Sequence, residues 1–242
     1  MTKVIVPYTS SGATKKEQVE QMFDHIAPKY DLLNNMLSFG IDKIWRRKLI
    51  EQLKDINPSV ILDVATGTAD VAIELVKLNP QKIIGVDISA EMLEIGKKKV
   101  AAKNLTNYIT LQQADSEHLP FENNKFDVVS VAFGVRNFED LEKGLSELYR
   151  VLRKGGKLAV LEFSYPKNFP IKQLYTFYFA EICPLIGGLV SKDRRAYSYL
   201  HESVKRFPQG DEFLGLLKKA GFESTKCKRL TLGISSIYIG IK

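Results

Sequence analysis

From Pro58 onward the chain alternates short, continuous apolar runs with amphipathic stretches, the pattern of strands buried on both faces between covering helices. The runs read "VILDV", "KIIGVDIS", "YITLQQAD", "FDVVSVAF" and "KLAVLEF", and between them lie "VAIELVKL", "AEMLEIGKKKVAAKN" and "DLEKGLSELYRVL". Ser89 is placed to cap the helix that Glu91 opens. In the last amphipathic stretch Leu141, Leu145, Leu148 and Leu152 recur at helical spacing, and Gly155-Gly156 is the expected stop. Connections this short predict a parallel, doubly wound sheet. A helix at "GDEFLGLLKKAGF" is followed by "TKCKRLTL" and "SSIYIGIK", which are close enough to pair as an antiparallel hairpin.

Before Pro58 the period is helical. Val19, Met22, Phe23 and Ile26 form one stripe that Pro28 is expected to break, and "IDKIWRRKLIEQL" predicts a second helix with Ile44, Leu49 and Leu53 inward. The 242 residues suit one large α/β domain. Its expected parts are a helical cap (1–57), a cofactor-binding core (58–163), an insertion that covers the substrate (164–209), and a terminal helix and strand hairpin (210–242).

Composition narrows the class only a little. Hydrophobic residues at 45% and charged ones at 26% describe a globular chain with a real core. Cys183 and Cys227 stand far apart in no metal spacing and read as reduced, packed thiols; no metal is implied. The opening apolar run is too short for a signal peptide, and no stretch approaches the roughly 20 apolar residues of a membrane helix. The expected location is therefore the cytoplasm. A formal charge of +7 leaves nucleic acid and anionic lipid open as partners.

The chemistry centres on "VILDVATGTADVAIEL", Val60 to Leu75. A dinucleotide loop requires Gly-x-Gly-x-x-Gly for close backbone approach to a pyrophosphate. This loop has only Gly67, among Ala65, Thr66, Thr68 and Ala69. Small residues without a full phosphate cradle suit S-adenosylmethionine, whose methionine end can take backbone N–H groups and the Thr68 hydroxyl. Asp63 ends the first strand. Asp87, 24 residues on, ends the second and can accept both ribose hydroxyls, while Asp115, with Ser116 beside it, ends the third and can bind the adenine amino group. Ligands at successive strand ends face one crevice. The expected fold is thus the class I S-adenosylmethionine-dependent methyltransferase fold, a seven-stranded, mostly parallel sheet ending in a hairpin. NAD(H) is the second choice, since Asp87 would serve its ribose too.

After the fourth strand the chain has "AFGVRNF", not the Asn/Asp-Pro-Pro-Tyr of adenine-N6 enzymes, and Cys183-Pro184 reverses the Pro-Cys of base-C5 enzymes. With no arginine-rich arm either, nucleic acid is not the expected partner. "YDLLNNMLSFGIDKIW" (Tyr30 to Trp45) and "RVLRKGGKLAVLEFS" (Arg150 to Ser164) resemble the two signature segments of the quinone-biosynthesis C-methyltransferases, and "FGVRN" and "YSYLHESVKRFP" are similar to further family segments. The resemblance runs from about Lys16 to the C-terminus. It implies methylation of a ring carbon of demethylmenaquinol or of a polyprenyl benzoquinol, with cofactor contacts at Thr68, Asp87, Asp115 and Ser116. On the family pattern alone, demethylmenaquinol leads. Asp42 stands where the family often has His. Thr66 and Ala69 replace two glycines of the usual loop, and His201 is not a position of regular histidine.

For such a reaction an ionised quinol oxygen makes the neighbouring ring carbon nucleophilic, and the enzyme supplies orientation and phenolate stabilisation. Arg136 is the candidate for that stabilisation, against a plain salt bridge to Glu139 or Asp140. Tyr30 is the candidate to bind or relay the quinol proton, against a core aromatic. "FPIKQLYTFYFAEICPLIGGLV", Phe169 to Val190, carries only Lys172 and Glu181 as charges. It reads as a buried helix that also lines a channel for the prenyl tail or touches a bilayer, with Arg194-Arg195 near headgroups. An RNA methyltransferase and a non-catalytic S-adenosylmethionine-binding protein are the alternatives.

Overall fold

The computed structural model describes residues 5–8, 11–183, 185 and 194–242. Five apolar runs form parallel strands: β1 (Val60–Val64), β2 (Lys82–Asp87), β3 (Ile109–Gln113), β4 (Phe126–Ala132) and β5 (Leu152–Phe163). The terminal runs form β6 (Glu223–Leu230) and β7 (Ser235–Ile241), an antiparallel pair that joins the sheet through β7 on β5, with Ala159 opposite Ile239. The strand order is β3-β2-β1-β4-β5-β7-β6. The chain therefore builds outward one way from β1 and then the other way from β4, which leaves a crevice at the carboxyl ends of those two strands.

The helices are α1 (Lys15–Leu37), α2 (Ile41–Glu51), α3 (Asp70–Leu75), α4 (Ala90–Ala102), α5 (Leu141–Val151), α6 (Ile171–Phe177), α7 (Arg194–Arg206) and α8 (Asp211–Lys219). Strand alternation sends neighbouring residues to opposite layers. Leu62, Val129 and Val160 pack with Leu145 and Leu148 of α5 and Phe213 of α8, while Ile61, Val128 and Leu161 pack with Leu49, Leu75 and Leu93 of α2 to α4. Truncating one such leucine to alanine costs about 2–5 kcal/mol, so the strand ends are held on a stiff platform.

The expected break at Pro28 does not occur: α1 opens with a Thr14–Glu17 capping box and runs through the proline to Leu37. Pro28 is exposed, while Leu33 beyond it is buried with Met22 and Ile26 against Met92 of α4. Burial of that face outweighs a local cost of about 3 kcal/mol. In α2, Ile44 is exposed and Trp45 takes the inward position, hydrogen-bonded through Nε1 to Thr231 Oγ1 at 2.7 Å. Helix α5 ends at Val151, and Leu152 is already extended and buried, so Gly155-Gly156 belongs to the start of β5. Asp115 lies two residues beyond β3, in a bridge with His118.

The apolar segment from Phe169 is α6 followed by a wider π turn over Tyr178–Ile182. It is not buried all round. Tyr175, Phe179 and Cys183 face inward, while Phe169, Leu174, Phe177 and Leu185 are exposed. Pro184, residues 186–190 and the side chain of Arg194 lie outside what the structure describes. Among the described residues no helix is long and apolar enough to cross a membrane.

Candidate active site

The loop after β1 is shaped by its own acids. Asp63, fully buried, accepts from Thr66 Oγ1 at 2.7 Å and from Ser130 Oγ at 2.6 Å. Burial pushes its carboxyl up to about 6, against those two hydrogen bonds, with the charge of Asp87 adding to the rise. Asp87 accepts from Gly67 N at 2.7 Å and Ser89 N at 3.0 Å, and burial raises its carboxyl too, opposed by those backbone donors. Gly67 has φ +55° with open space where a Cβ would stand. Ala69 is also left-handed, at φ 66°, which accounts for glycine as the usual choice there; Thr66 is not among the positive-φ residues.

Helix α1 lies across this crevice. Lys16 Nζ pairs with Asp115 Oδ2 at 2.6 Å, Asp24 Oδ1 accepts from Ser89 Oγ at 2.6 Å, and Asp31 Oδ1 accepts from Thr68 Oγ1 at 2.6 Å. Lys99 joins Asp31, Thr68 and Asp70. Burial alone would raise the Asp115 carboxyl, but Lys16, the Glu117 N–H and His118 outweigh it and hold it below its ordinary value. Thr68 and Asp115 thus sit at the crevice with partners from the cap already in place.

Two cavities meet there. The smaller, of about 80 Å³, is lined by Asp87, Asp115, Ser116, Ile88 and Met92. The larger, of about 410 Å³, runs from Asp63, Thr68 and Gly67 to a wall of Trp45, Phe133, Phe163, Tyr175 and Phe179. Tyr30, Phe23, Gly67, Ala132 and Phe133 line both, so they mark the junction. Of the residues expected from the sequence, Asp63, Gly67, Thr68, Tyr30 and Arg136 line the larger cavity; Asp87, Asp115 and Ser116 line the smaller one, as do Gly67 and Tyr30.

Arg136 follows β4 in a short 3-10 turn, Val135–Asn137. Gly134 lets this turn press on the loop, since a Cβ there would stand 2.4 Å from Ala65 Cβ. The guanidinium does not pair with Glu139 or Asp140. Its Nη1 donates to Glu162 Oε1 at 2.8 Å and to the Phe133 carbonyl, and it lies 5.6 Å from the Phe163 ring centre. Arg136 Nε is buried and has no partner. Burial raises the Glu162 carboxyl, and the Arg136 charge opposes that rise. Burial also raises the Tyr30 phenol against the Asn34 side chain and Arg136, so Tyr30 stays protonated. Glu162 was not singled out from the sequence, although an acid ending the fifth apolar run carries the same signal as Asp63 and Asp87.

The crevice fits S-adenosylmethionine better than a pyrophosphate. The charge of Asp87 raises the proton affinity of Asp63 across the loop, and a cationic ligand relieves that repulsion where a phosphate would add to it. Asp87 offers carboxylate acceptors to a sugar, and Ile88 and Met92 offer apolar walls to a base.

Residues 11–242 match the model of the ubiE/COQ5 methyltransferase family. A demethylmenaquinone methyltransferase of Bacteroides fragilis is 49% identical over 98% of this chain and 97% of its own length. A ubiquinone/menaquinone biosynthesis C-methyltransferase of Geotalea daltonii is 48% identical over 94% of this chain and 97% of its own. Among solved structures, an S-adenosylmethionine-dependent methyltransferase of Thermotoga maritima superposes with a TM-score of 0.64 at 21% identity, over 92% of this chain and 99% of that one, a likeness of fold.

Proposed function

Because the chain belongs to the ubiE/COQ5 methyltransferase family, we propose that it is an S-adenosylmethionine-dependent C-methyltransferase that converts demethylmenaquinol to menaquinol. The observation that carries this reading is the buried, unpartnered Nε–H of Arg136, in the wall of a cavity built from aromatic rings. When bound, S-adenosylmethionine supplies an electrophilic methyl group. Thr68, Asp87, Asp115 and Ser116 would hold it, with Gly67 giving close backbone approach and Asp63 keeping the loop in shape through Thr66 and Ser130.

The acceptor side follows from the same wall. Arg136 Nε donates to the quinol oxygen beside the reacting carbon and stabilises its ionised form in a site that Trp45, Phe133 and Phe163 keep dry. Glu162 fixes the guanidinium plane, so no reorganisation is needed as charge develops. Tyr30, at the junction of the two cavities and protonated, orients or relays the quinol proton. The remaining contribution is orientation, with the reacting atoms about 3–3.5 Å apart.

The prenyl tail leaves by the mouth of the larger cavity, where Phe39, Leu174 and Leu232 are 79%, 62% and 75% exposed. A lipophilic substrate delivered from a bilayer explains an apolar rim at that place, and the +7 charge favours an anionic leaflet. The test of the reaction is incubation with methyl-labelled S-adenosylmethionine and a reduced, short-tailed 1,4-naphthalenediol or 1,4-benzenediol. Label on the naphthalenediol ring carbon is the expected result. Preference for the benzenediol would reassign the substrate to the ubiquinone branch, and label on neither ring would end the reading.

A further inference from the structure

Among the described residues three buried side-chain polar atoms lack a hydrogen-bond partner: Arg136 Nε, Tyr175 Oη and Thr225 Oγ1. Thr225 lies on the outer strand β6. The other two belong to the lining of one cavity. A buried hydroxyl without a partner is costly, and a native fold keeps one where something else completes it. Tyr175 is only 5% exposed, with its ring tilted against Phe179 at 4.3 Å and edge-on at 5.4 Å to Tyr165, so its position is fixed by packing and not by its oxygen. Burial drives its phenol far above the ordinary range, against the attraction of the nearby Arg136 charge. The group is therefore a neutral hydroxyl, able to donate and to accept.

We propose that Tyr175 is a positioning residue for the acceptor ring: its hydroxyl binds the second oxygen of a para-diol, the one remote from the reacting carbon, while Arg136 takes the first. This deepens the functional reading above and rests on it. The two orphan groups belong to the lining of one cavity, one for each oxygen of such a ring, within a wall that is mostly aromatic and also carries the Tyr30 phenol. The division of labour differs between them. Arg136 meets an oxygen whose charge grows during the reaction, whereas Tyr175 meets one that changes little, so Tyr175 contributes to binding equally in the ground and transition states.

The test compares wild type and Tyr175→Phe on two short-tailed substrates kept reduced, a prenylated 1,4-naphthalenediol and the analogue lacking the remote hydroxyl. Wild type is expected to use the analogue with kcat/KM about 10- to 100-fold lower, chiefly through KM. Tyr175→Phe is expected to fall to that level on the diol, with kcat nearly kept, and to match wild type on the analogue. Melting of the two ligand-free proteins gives a second readout. Removing an orphan hydroxyl should raise Tm by about 2–6 °C, whereas a hydroxyl with a structural partner would lower it when removed. An unchanged preference for the diol, an equal loss on both substrates, or a lowered Tm would overturn the assignment. A wild-type protein inactive on both rings would instead strike the functional reading.

Discussion

Arg136 and Glu162 meet across the carboxyl ends of β4 and β5, with Nη1 2.8 Å from Oε1 and the Glu162 side chain wholly buried. Removing either partner strands the other charge inside the protein, so Arg136→Gln and Glu162→Gln should each lose about 3–5 kcal/mol in urea unfolding. Replacing both removes both charges and should recover most of that stability. Methyl transfer should stay down about 10²- to 10³-fold in the double variant, because the phenolate donor is gone. A stable double variant with normal turnover would show the pair to be structural only.

Asp87 accepts from the backbone N–H groups of Gly67 and Ser89 and lines the smaller cavity. Asp87→Asn should weaken S-adenosylmethionine binding by about 10- to 100-fold, as expected for lost hydrogen bonds to a charged group. Calorimetric titration reads this directly, and unchanged affinity would move the sugar contact elsewhere.

The raised carboxyl of Asp63 links stability to pH. Below about pH 6 the folded protein holds a proton that the unfolded chain does not take up until near the ordinary value of 3.8. The resulting stabilisation is complete in acid below the unfolded value and is lost as pH rises through 6. Relative to Asp63→Asn, wild type should therefore gain up to about 3 kcal/mol between pH 7 and pH 3.5. Urea midpoints of the two proteins measured across that range give the difference, and parallel curves would contradict it.

The exposed rim of the larger cavity predicts lipid binding. Leu174→Asp with Leu232→Asp should reduce flotation with anionic vesicles several-fold while leaving turnover of a short-tailed, water-soluble quinol close to normal. Flotation that ignores these substitutions would place the lipid contact on another surface.

The strand framework was legible because each buried strand is an apolar run with a helix period on either side, and sequence spacing alone aligns Asp63, Asp87 and Asp115 at one edge of the sheet. The partner of Arg136 was not, since Glu162 is distant in sequence and only the parallel register of β4 with β5 brings the two strand ends side by side. Pro28 misled because propensity is local, whereas the burial of Leu33 against α4 comes from tertiary packing. Tyr175 was hidden inside a stretch whose composition suggests uniform burial. Its missing hydrogen bond is a property of the assembled wall, which no periodicity reports.

The π turn over Tyr178–Ile182 has a consequence for which side chains reach the chamber. Tyr175, Phe179 and Cys183 are spaced by four residues and all face inward, a spacing that an ordinary α-helix would let drift around its axis and that a wider turn brings back into line. Deleting one residue from that turn would swing Cys183 away from the chamber while leaving the sheet untouched.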